Sequence, residues 1–474
     1  MFVRRHPWWT TGVGIVLLSA VLVKLARTSP GYDPYGWLAW GYQTLRFSLD
    51  LGGAPSWKPL PYLFTVPYAL FGHYEYRLWM VTAVAISLAG CVFAGRIAYR
   101  LTDGDREHRY ASIAAAVFAG AAVLGIQDYM HYVLSVQSDP MIVTFVLAAI
   151  DFHLTGRHRW AFWMLVLAAL GRPEAWPFFG LYAVWLWWKF PKTRWMVAAG
   201  VLIVPFMWFG IPTITNGQPD IAGQLAKLSP RALKQNRLFG TLARFTVLFY
   251  LPVWIAALVC VALAWLRRNR LVLAMAAGCG LWVIIEIAFA FHGWPALPRY
   301  MFEPAAVAAV LAGVAVGWVL IDTSRMSSTA ARWSGIALVA ALVISLVPAA
   351  VARIRDERTD LHHERVRTNE LNALRTTILA LGGIQHIRNC GEPVSNVEFV
   401  SAFAWYMHLD VGFIGHRPDF ELHQKYPIVL FTPLPNGWSV RPWHTRPYQV
   451  ARCRGLHAKY VFTAHHPAGV LVRR

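Results

Sequence analysis

Apolar residues fall into runs at about residues 11–28, 76–99, 111–126, 140–155, 160–171, 176–188, 195–212, 245–266, 271–291, 301–321 and 333–350, with short polar connections between them. Because roughly 20 apolar residues cross a bilayer as a helix, this pattern predicts an all-α polytopic membrane protein of about eleven transmembrane helices. Beyond about residue 351 the pattern changes. In "VARIRDERTDLHHERVRTNELNALRTTILALGG", Ile354, Leu361, Leu371, Leu374, Ile378 and Leu381 suit one helical face, and the Gly382–Gly383 pair marks a stop. The stretches "NVEFVSAFAWYMH", "YPIVLFTP" and "KYVFTAH" then read as short strands between Pro and Gly turns. The expected organisation is a membrane domain over residues 1–350 and a small soluble α/β domain over 351–474, large enough for a modest core of its own.

Composition sharpens the class. With 57% hydrophobic and 14% charged residues, the chain has too little polar surface to cover an ordinary soluble globule. Its 44 Lys and Arg against 24 Asp and Glu give a formal charge of +20. No basic run with interleaved aromatics occurs in a soluble stretch, so nucleic acid is excluded as a partner. The excess cations instead report positive-inside topology and contact with anionic membrane lipid. Arg4, Arg5, Arg100, Arg106, Arg109, Arg157, Arg159, Lys189, Lys192, Arg194, Arg267, Arg268, Arg270, Arg325 and Arg332 fall on one side, which reads as the cytoplasm.

That assignment predicts a multi-pass plasma-membrane protein with a cytoplasmic N-terminus. The first run is kept as a helix because no small-residue cleavage site follows it. Asp33, Asp139, Arg172, Glu174, the 213–244 loop, Arg299 and the 351–474 domain then face outward. The arrangement takes 160–188 as two short spans flanking "GRPEAWP"; a single kinked helix there would reverse every later loop. Cys91, Cys260 and Cys279 lie in apolar runs as packing residues. Cys390 and Cys453 are candidates for a disulfide, which would fit an oxidising exterior. His362–His363 and His465–His466 lack the spacing and companions of a metal site and read as surface residues.

Six places carry ionisable groups on the outer side. In "GYDPYGWLAWG", Asp33 is either a carboxylate beside an interfacial aromatic belt or a general base of raised basicity for an acceptor hydroxyl. Lys58, in "SWKPLPYLF", either snorkels or meets a phosphate, and the Pro-rich loop around it is too broken to span. Asp139, in "QSDPM", is either part of a helix N-cap with Ser138 or a second active-site acid. Arg172 and Glu174, in "LGRPEAW", lie at membrane depth, where charge is costly unless paired or lining a cavity; both readings apply. Arg299 and Tyr300, in "LPRYMFEP", sit at a helix mouth with Glu303 one turn inside, and Arg suits a phosphate through its planar donors. Lys227, Arg231, Lys234 and Arg237 have the spacing of one helical face, suited to an anionic head group or simply to solvent.

The order of these pieces resembles the GT-C superfamily of membrane glycosyltransferases, in particular the bacterial branch near the protein mannosyltransferase and aminoarabinose transferase families. The likeness covers about residues 1–350 and rests on short motifs. It implies a GT-C-like fold, a polyprenyl-phosphate sugar donor, an acceptor from the cell envelope (glycan, lipid or protein) approaching from outside, and inversion at the anomeric carbon. Asp33 matches the position of the base in the first outer loop, and Asp139 lies where some members place a second acid. Arg172 corresponds to the cavity cation near the donor phosphate, where some relatives have Lys, and Arg299 with Tyr300 to an Arg-Tyr element near the donor tail. Lys58 and Arg231 join this donor-binding set, with Glu174 in the cavity.

No P-loop or dinucleotide signature appears, in keeping with a lipid-linked donor. Too few carboxylates cluster to predict a dedicated metal cage, and dependence on a divalent cation is left open. A transporter or flippase of lipid-linked glycans would share the intramembrane charges and interrupted helices, although no inverted repeat is visible. A non-catalytic envelope-assembly protein is a third class; it predicts that Asp33→Asn is harmless.

Overall fold

The apolar runs form helices, but not all of them are long enough to cross a bilayer. In the computed structural model, which describes residues 7–53, 55–102, 108–419, 427–434, 437–443, 458–463 and 466–473, six helical stretches have the length and composition of a membrane span. They are Trp8–Ala26, Gly72–Thr102, Pro191–Asn216, Arg270–Phe291, Pro298–Ser324 and Arg332–Ala380. The helices Arg237–Thr246 and Leu251–Leu266 meet at 97° and make a seventh if taken as one broken span. The protein is thus membrane-embedded, with six or seven full-length candidates among the described residues rather than about eleven.

The difference has a geometric cause. Four of the apolar runs fold as Arg109–Leu124, Asp139–Leu154, His158–Gly171 and Trp176–Lys189, helices of 16, 16, 14 and 14 residues. At 1.5 Å per residue they are about 21–24 Å long. Hydropathy counts apolar runs and is blind to this shortfall. Arg4, Arg5, Arg106 and His465 lie outside the described residues.

The helix Phe302–Ser324 is buried along nearly its whole length and packs against Glu75–Thr102, Arg109–Leu124, Leu251–Leu266 and Arg270–Phe291. Small residues allow the approach to Arg109–Leu124: a Cβ added at Gly313 would stand 2.6 Å from the Ala115 carbonyl oxygen, the close backbone contact typical of membrane helices. Around this axis, Asp139–Leu154 and His158–Gly171 are joined by three residues and run antiparallel, as does Trp176–Lys189 after the break at "GRPEAWP". The break follows from Pro173, which disfavours helical backbone at the preceding residue; Arg172 is extended, with φ −151° and ψ 136°.

"GYDPYGWLAWG" does not trail off a membrane helix. It opens a separate helix, Tyr32–Leu45, with ten buried residues and Asp33 in its first turn. The following loop folds as Pro59–Ala69 and a 3-10 turn at Gly72–Tyr74.

At residue 351, where the hydropathy changes, the backbone does not: a single helix runs from Thr329 to Ala380. It stops at the glycine pair, with φ of 88° at Gly382 and 86° at Gly383. Leu371, Leu374, Ile378 and Leu381 are buried, whereas Ile354 is exposed, so only the last turns of the expected face pack. The stretch expected as the first strand, "NVEFVSAFAWYMH", is instead the helix Val400–Met407 preceded by a 3-10 turn. Its Phe399, Phe403 and Met407 recur every four residues and are buried, a helical period that the β-branched and aromatic composition masked.

The other two expected strands are β2 (Ile428–Leu434) and β4 (Ala458–Thr463). They join β1 (Glu392–Val394), β3 (Gly437–Trp443) and β5 (His466–Arg473) in a sheet of order β1-β2-β3-β4-β5. β1 pairs parallel to β2, and the remaining pairs are antiparallel. Phe399, Phe403, Phe431 and Trp438 form the aromatic layer between sheet and helix. The indole of Trp438 donates to the Glu370 carbonyl at 2.7 Å, fastening the sheet to the long helix.

Candidate active site

The break at Pro173 turns Arg172 into the middle of the protein, where three carboxylates meet it. Arg172 Nη2 pairs with Asp139 Oδ1, Nη1 lies 3.4 Å from Glu174 Oε1, and Nε lies 3.9 Å from Glu303 Oε1. All four side chains are buried. The guanidinium also stacks over the Tyr300 ring, 3.8 Å from its centre. Arg172 and Glu174 therefore do not simply neutralise each other; the arginine is shared among groups from three helical segments.

Asp139 opens the helix Asp139–Leu154, yet Ser138 at the N-cap makes no capping bond with its side chain. The Asp139 carboxylate faces inward, with Lys58 Nζ 3.8 Å from Oδ1. Lys58 also donates to Ser138 Oγ at 3.3 Å and lies 5.8 Å from the centre of the Trp37 ring. It is held in the interior instead of snorkelling. Burial pulls its pKa below the ordinary lysine value, with Asp139 the first opposing influence and Arg172 and Arg299 adding to the depression.

Asp33 and Arg299 form the outer rank of the same group: Arg299 Nη2 is 3.5 Å from Asp33 Oδ2, and both side chains keep about a fifth of their surface exposed (17% and 19%). Arg299 lies over the rings of Tyr132 and Tyr300, at 5.4 and 5.6 Å. It also lines a cavity of about 380 Å³ together with Gln127, Asp128, Tyr132, Arg231 and Arg244. Arg231 is thus near the group but not on the expected helical face. The helix Ile221–Lys227 ends before it and the next begins at Arg237. Arg244 fixes this wall by donating to the carbonyls of Pro295, Ala296 and Arg231 at 2.5, 3.1 and 3.0 Å.

The segment entering Asp33 is held from two sides. From the long helix, Arg365 donates to the Ala26 carbonyl at 2.7 Å and Arg367 to that of Pro30 at 2.7 Å, while Thr368 Oγ1 accepts from the Ser29 amide at 2.7 Å. From the other side, the Gly31 amide donates to the Ser135 carbonyl at 3.0 Å. Ser135 precedes Val136, a buried β-branched residue with φ of 55°, a strained conformation of the kind found beside functional sites.

Glu286 was not picked out from the sequence. It is fully buried, and its carboxyl group meets that of Glu174, with Arg172 and Glu303 acting on it electrostatically. The signal was present: it is the sole acidic or basic residue in "LVLAMAAGCGLWVIIEIAFAF", and an acid inside such a run is a candidate site residue by itself. Among the described residues no group of three or more His, Cys, Asp or Glu is arranged to hold a metal ion. Cys390 is disulfide-bonded, and Cys453, its expected partner, lies outside the described residues.

Neither a family profile nor a curated protein sequence matches the chain. Solved structures do. The fold is similar to that of ArnT from Cupriavidus metallidurans bound to undecaprenyl phosphate, with a TM-score of 0.50 and 16% identity over 90% of this chain and 93% of that one. The apo state of the same protein gives a TM-score of 0.51 with the same identity and coverage. Over nine-tenths of its length the chain therefore has an ArnT-like fold.

Proposed function

We propose that the protein is an inverting glycosyltransferase that moves a sugar from a polyprenyl-phosphate donor to an acceptor hydroxyl of a cell-envelope glycan, lipid or protein. It would act at the outer face of the bacterial plasma membrane, with its N-terminus cytoplasmic and residues 351–474 a soluble domain outside. The observation that carries this reading is the sequence of charges: Asp33 at the rim, paired to Arg299, which itself borders a cavity walled by Arg231 and Arg244. Lys58 and Arg172 stand behind it. A lipid-linked phosphate suits that cavity, and the structural neighbour ArnT binds undecaprenyl phosphate.

In this reading Asp33 takes the proton from the acceptor hydroxyl as its oxygen attacks the anomeric carbon, and the bond from that carbon to the phosphate oxygen breaks. The charge developing on the leaving phosphate falls to Arg299 and Lys58, with Arg231 at the approach; preorganised cations placed where charge develops lower the barrier most effectively. Asp139, shared between Lys58 and Arg172, orients these cations, and Arg172 and Glu174 with Tyr300 form the cavity floor.

The test is transfer from a panel of radiolabelled polyprenyl-phosphate sugars to membrane-extracted acceptors, comparing wild type with Asp33→Asn in equal purified amounts. One donor should be consumed by wild type, with turnover lowered about 10²–10⁴-fold in the variant. Equal turnover by both proteins would remove Asp33 from the mechanism.

A further inference from the structure

Where the antiparallel helices Asp139–Leu154, His158–Gly171 and Trp176–Lys189 end, away from Asp139 and Arg172, a second cavity opens. It measures about 570 Å³, the larger of the two cavities described here, and is lined by Arg157, His158, Arg159, Trp160, Leu186, Lys189, Phe190 and Lys192 among others. Helices of 14 and 16 residues place it about 21–24 Å from the Asp139–Arg172 pair. Nothing in the transfer reaction uses it.

Among the described residues, Arg157, Arg159, Lys189 and Lys192 take part in no ion pair, and the carboxylate of Asp151, near the same end, is held by Arg96 at 3.1 Å and Arg100 at 3.2 Å. The remaining wall is apolar and aromatic: His158 packs against Trp185 and Phe190 at 5.1 and 5.0 Å between ring centres, with Leu186 buried beneath. Trp160 on the cavity wall and Trp188 and Trp195 outside it are 60%, 74% and 75% exposed. Exposed indoles beside cations at the end of apolar helices mark the level of lipid head groups.

We infer that this cavity is a binding site for an anionic glycerophospholipid, whose phosphate is met by Arg157, Arg159, Lys189 and Lys192 while its glycerol and upper acyl carbons lie on Trp160, Leu186 and Phe190. Uncompensated positive charge selects an anionic head group, and the apolar wall selects a lipid over a free phosphate. By the positive-inside distribution, the lipid comes from the leaflet opposite the transfer site.

The experiment uses the full-length protein in detergent, titrated with phosphatidylglycerol, phosphatidylcholine or inorganic phosphate, with retained ligands counted by native mass spectrometry and melting temperature measured in parallel. Wild type should retain phosphatidylglycerol in preference to phosphatidylcholine. The triple variant Arg157→Gln, Lys189→Gln, Lys192→Gln should bind phosphatidylglycerol roughly a hundredfold more weakly, at about fivefold per cation removed. These residues lie at the surface and outside the transfer site, so the variant's unchanged melting temperature without lipid reports that it is folded. Equal retention of the two lipids, undiminished phosphatidylglycerol binding by the variant, or the same stabilisation by inorganic phosphate alone would each overturn the proposal.

Discussion

At the residue scale the interior is an exercise in charge balance. Among the described residues Arg172 is the one cation paired with Asp139, Glu174 and Glu303 together; removing it leaves Glu174 and Glu303 without an ion pair and Asp139 with Lys58 alone. Arg172→Ala is therefore expected to lower stability by about 3–5 kcal/mol, read as a fall in melting temperature. Arg172→Lys keeps the charge but loses the fork that reaches three acids, and should fall between. Glu286→Gln, by contrast, replaces the carboxyl group that meets Glu174 with a neutral amide of the same shape that can donate to it. Its melting temperature should equal or exceed that of wild type.

Lys58 gives the pH dependence its sign. Because burial depresses its pKa, the ammonium that the proposed mechanism sets against the donor phosphate is present at low pH and lost as pH rises through a value below the ordinary lysine range. The alkaline limb of kcat/KM should lie correspondingly low, and Lys58→Arg should move it upward, since the guanidinium stays charged. Asp33, Arg172 and Arg299 were legible in the sequence because each breaks an otherwise apolar context. Their pairings were not: the contact between Arg299 and Asp33 joins residues 266 positions apart, and nothing in local spacing encodes it.

At the element scale the decisive part is the helix Tyr32–Leu45, which presents Asp33. It is packed against Val400–Met407, with Tyr42 Oη donating to the carbonyls of Ala404 at 3.0 Å and Leu409 at 2.7 Å. The approach to it is fastened by Arg365, Arg367 and Thr368 of the long helix. Thr368→Val and Arg367→Ala should therefore lower kcat by about tenfold with little change in KM, since small misplacements of a reacting group are costly. Steady-state kinetics on the two variants separates this from a loss of donor binding. The sequence marked the end of the long helix through its two glycines, but it hid the helical period of Val400–Met407 behind residues that favour strands.

At the scale of the whole molecule, the C-terminal segment is mechanically continuous with the membrane helices. Thr329–Ala380 passes without a break from an apolar stretch to the residues that carry the sheet, and Trp438 is pinned to it through Glu370. Trp438→Phe removes that bond from a buried indole and should reduce stability by about 1 kcal/mol, seen in thermal unfolding of the full chain. The overall class was readable from apolar runs alone. The number of full-length helices was not, because an apolar run does not show where its helix will end.

Those short helices have a mechanical consequence. Arg109–Leu124 and Trp176–Lys189, the two with exposed apolar faces, are only about 21–24 Å long against a hydrocarbon layer of about 30 Å. Bilayer lipid beside them must dip to meet their polar ends, at a modest energy for each ångström of mismatch. A phosphate carried by a membrane lipid would then descend toward Lys58 and Arg299 without leaving its leaflet, and the thin patch would act as the substrate's ramp. In bilayers of increasing acyl length the dip becomes steeper, so the apparent affinity for a lipid-linked donor should change with membrane thickness while that for a water-soluble acceptor does not.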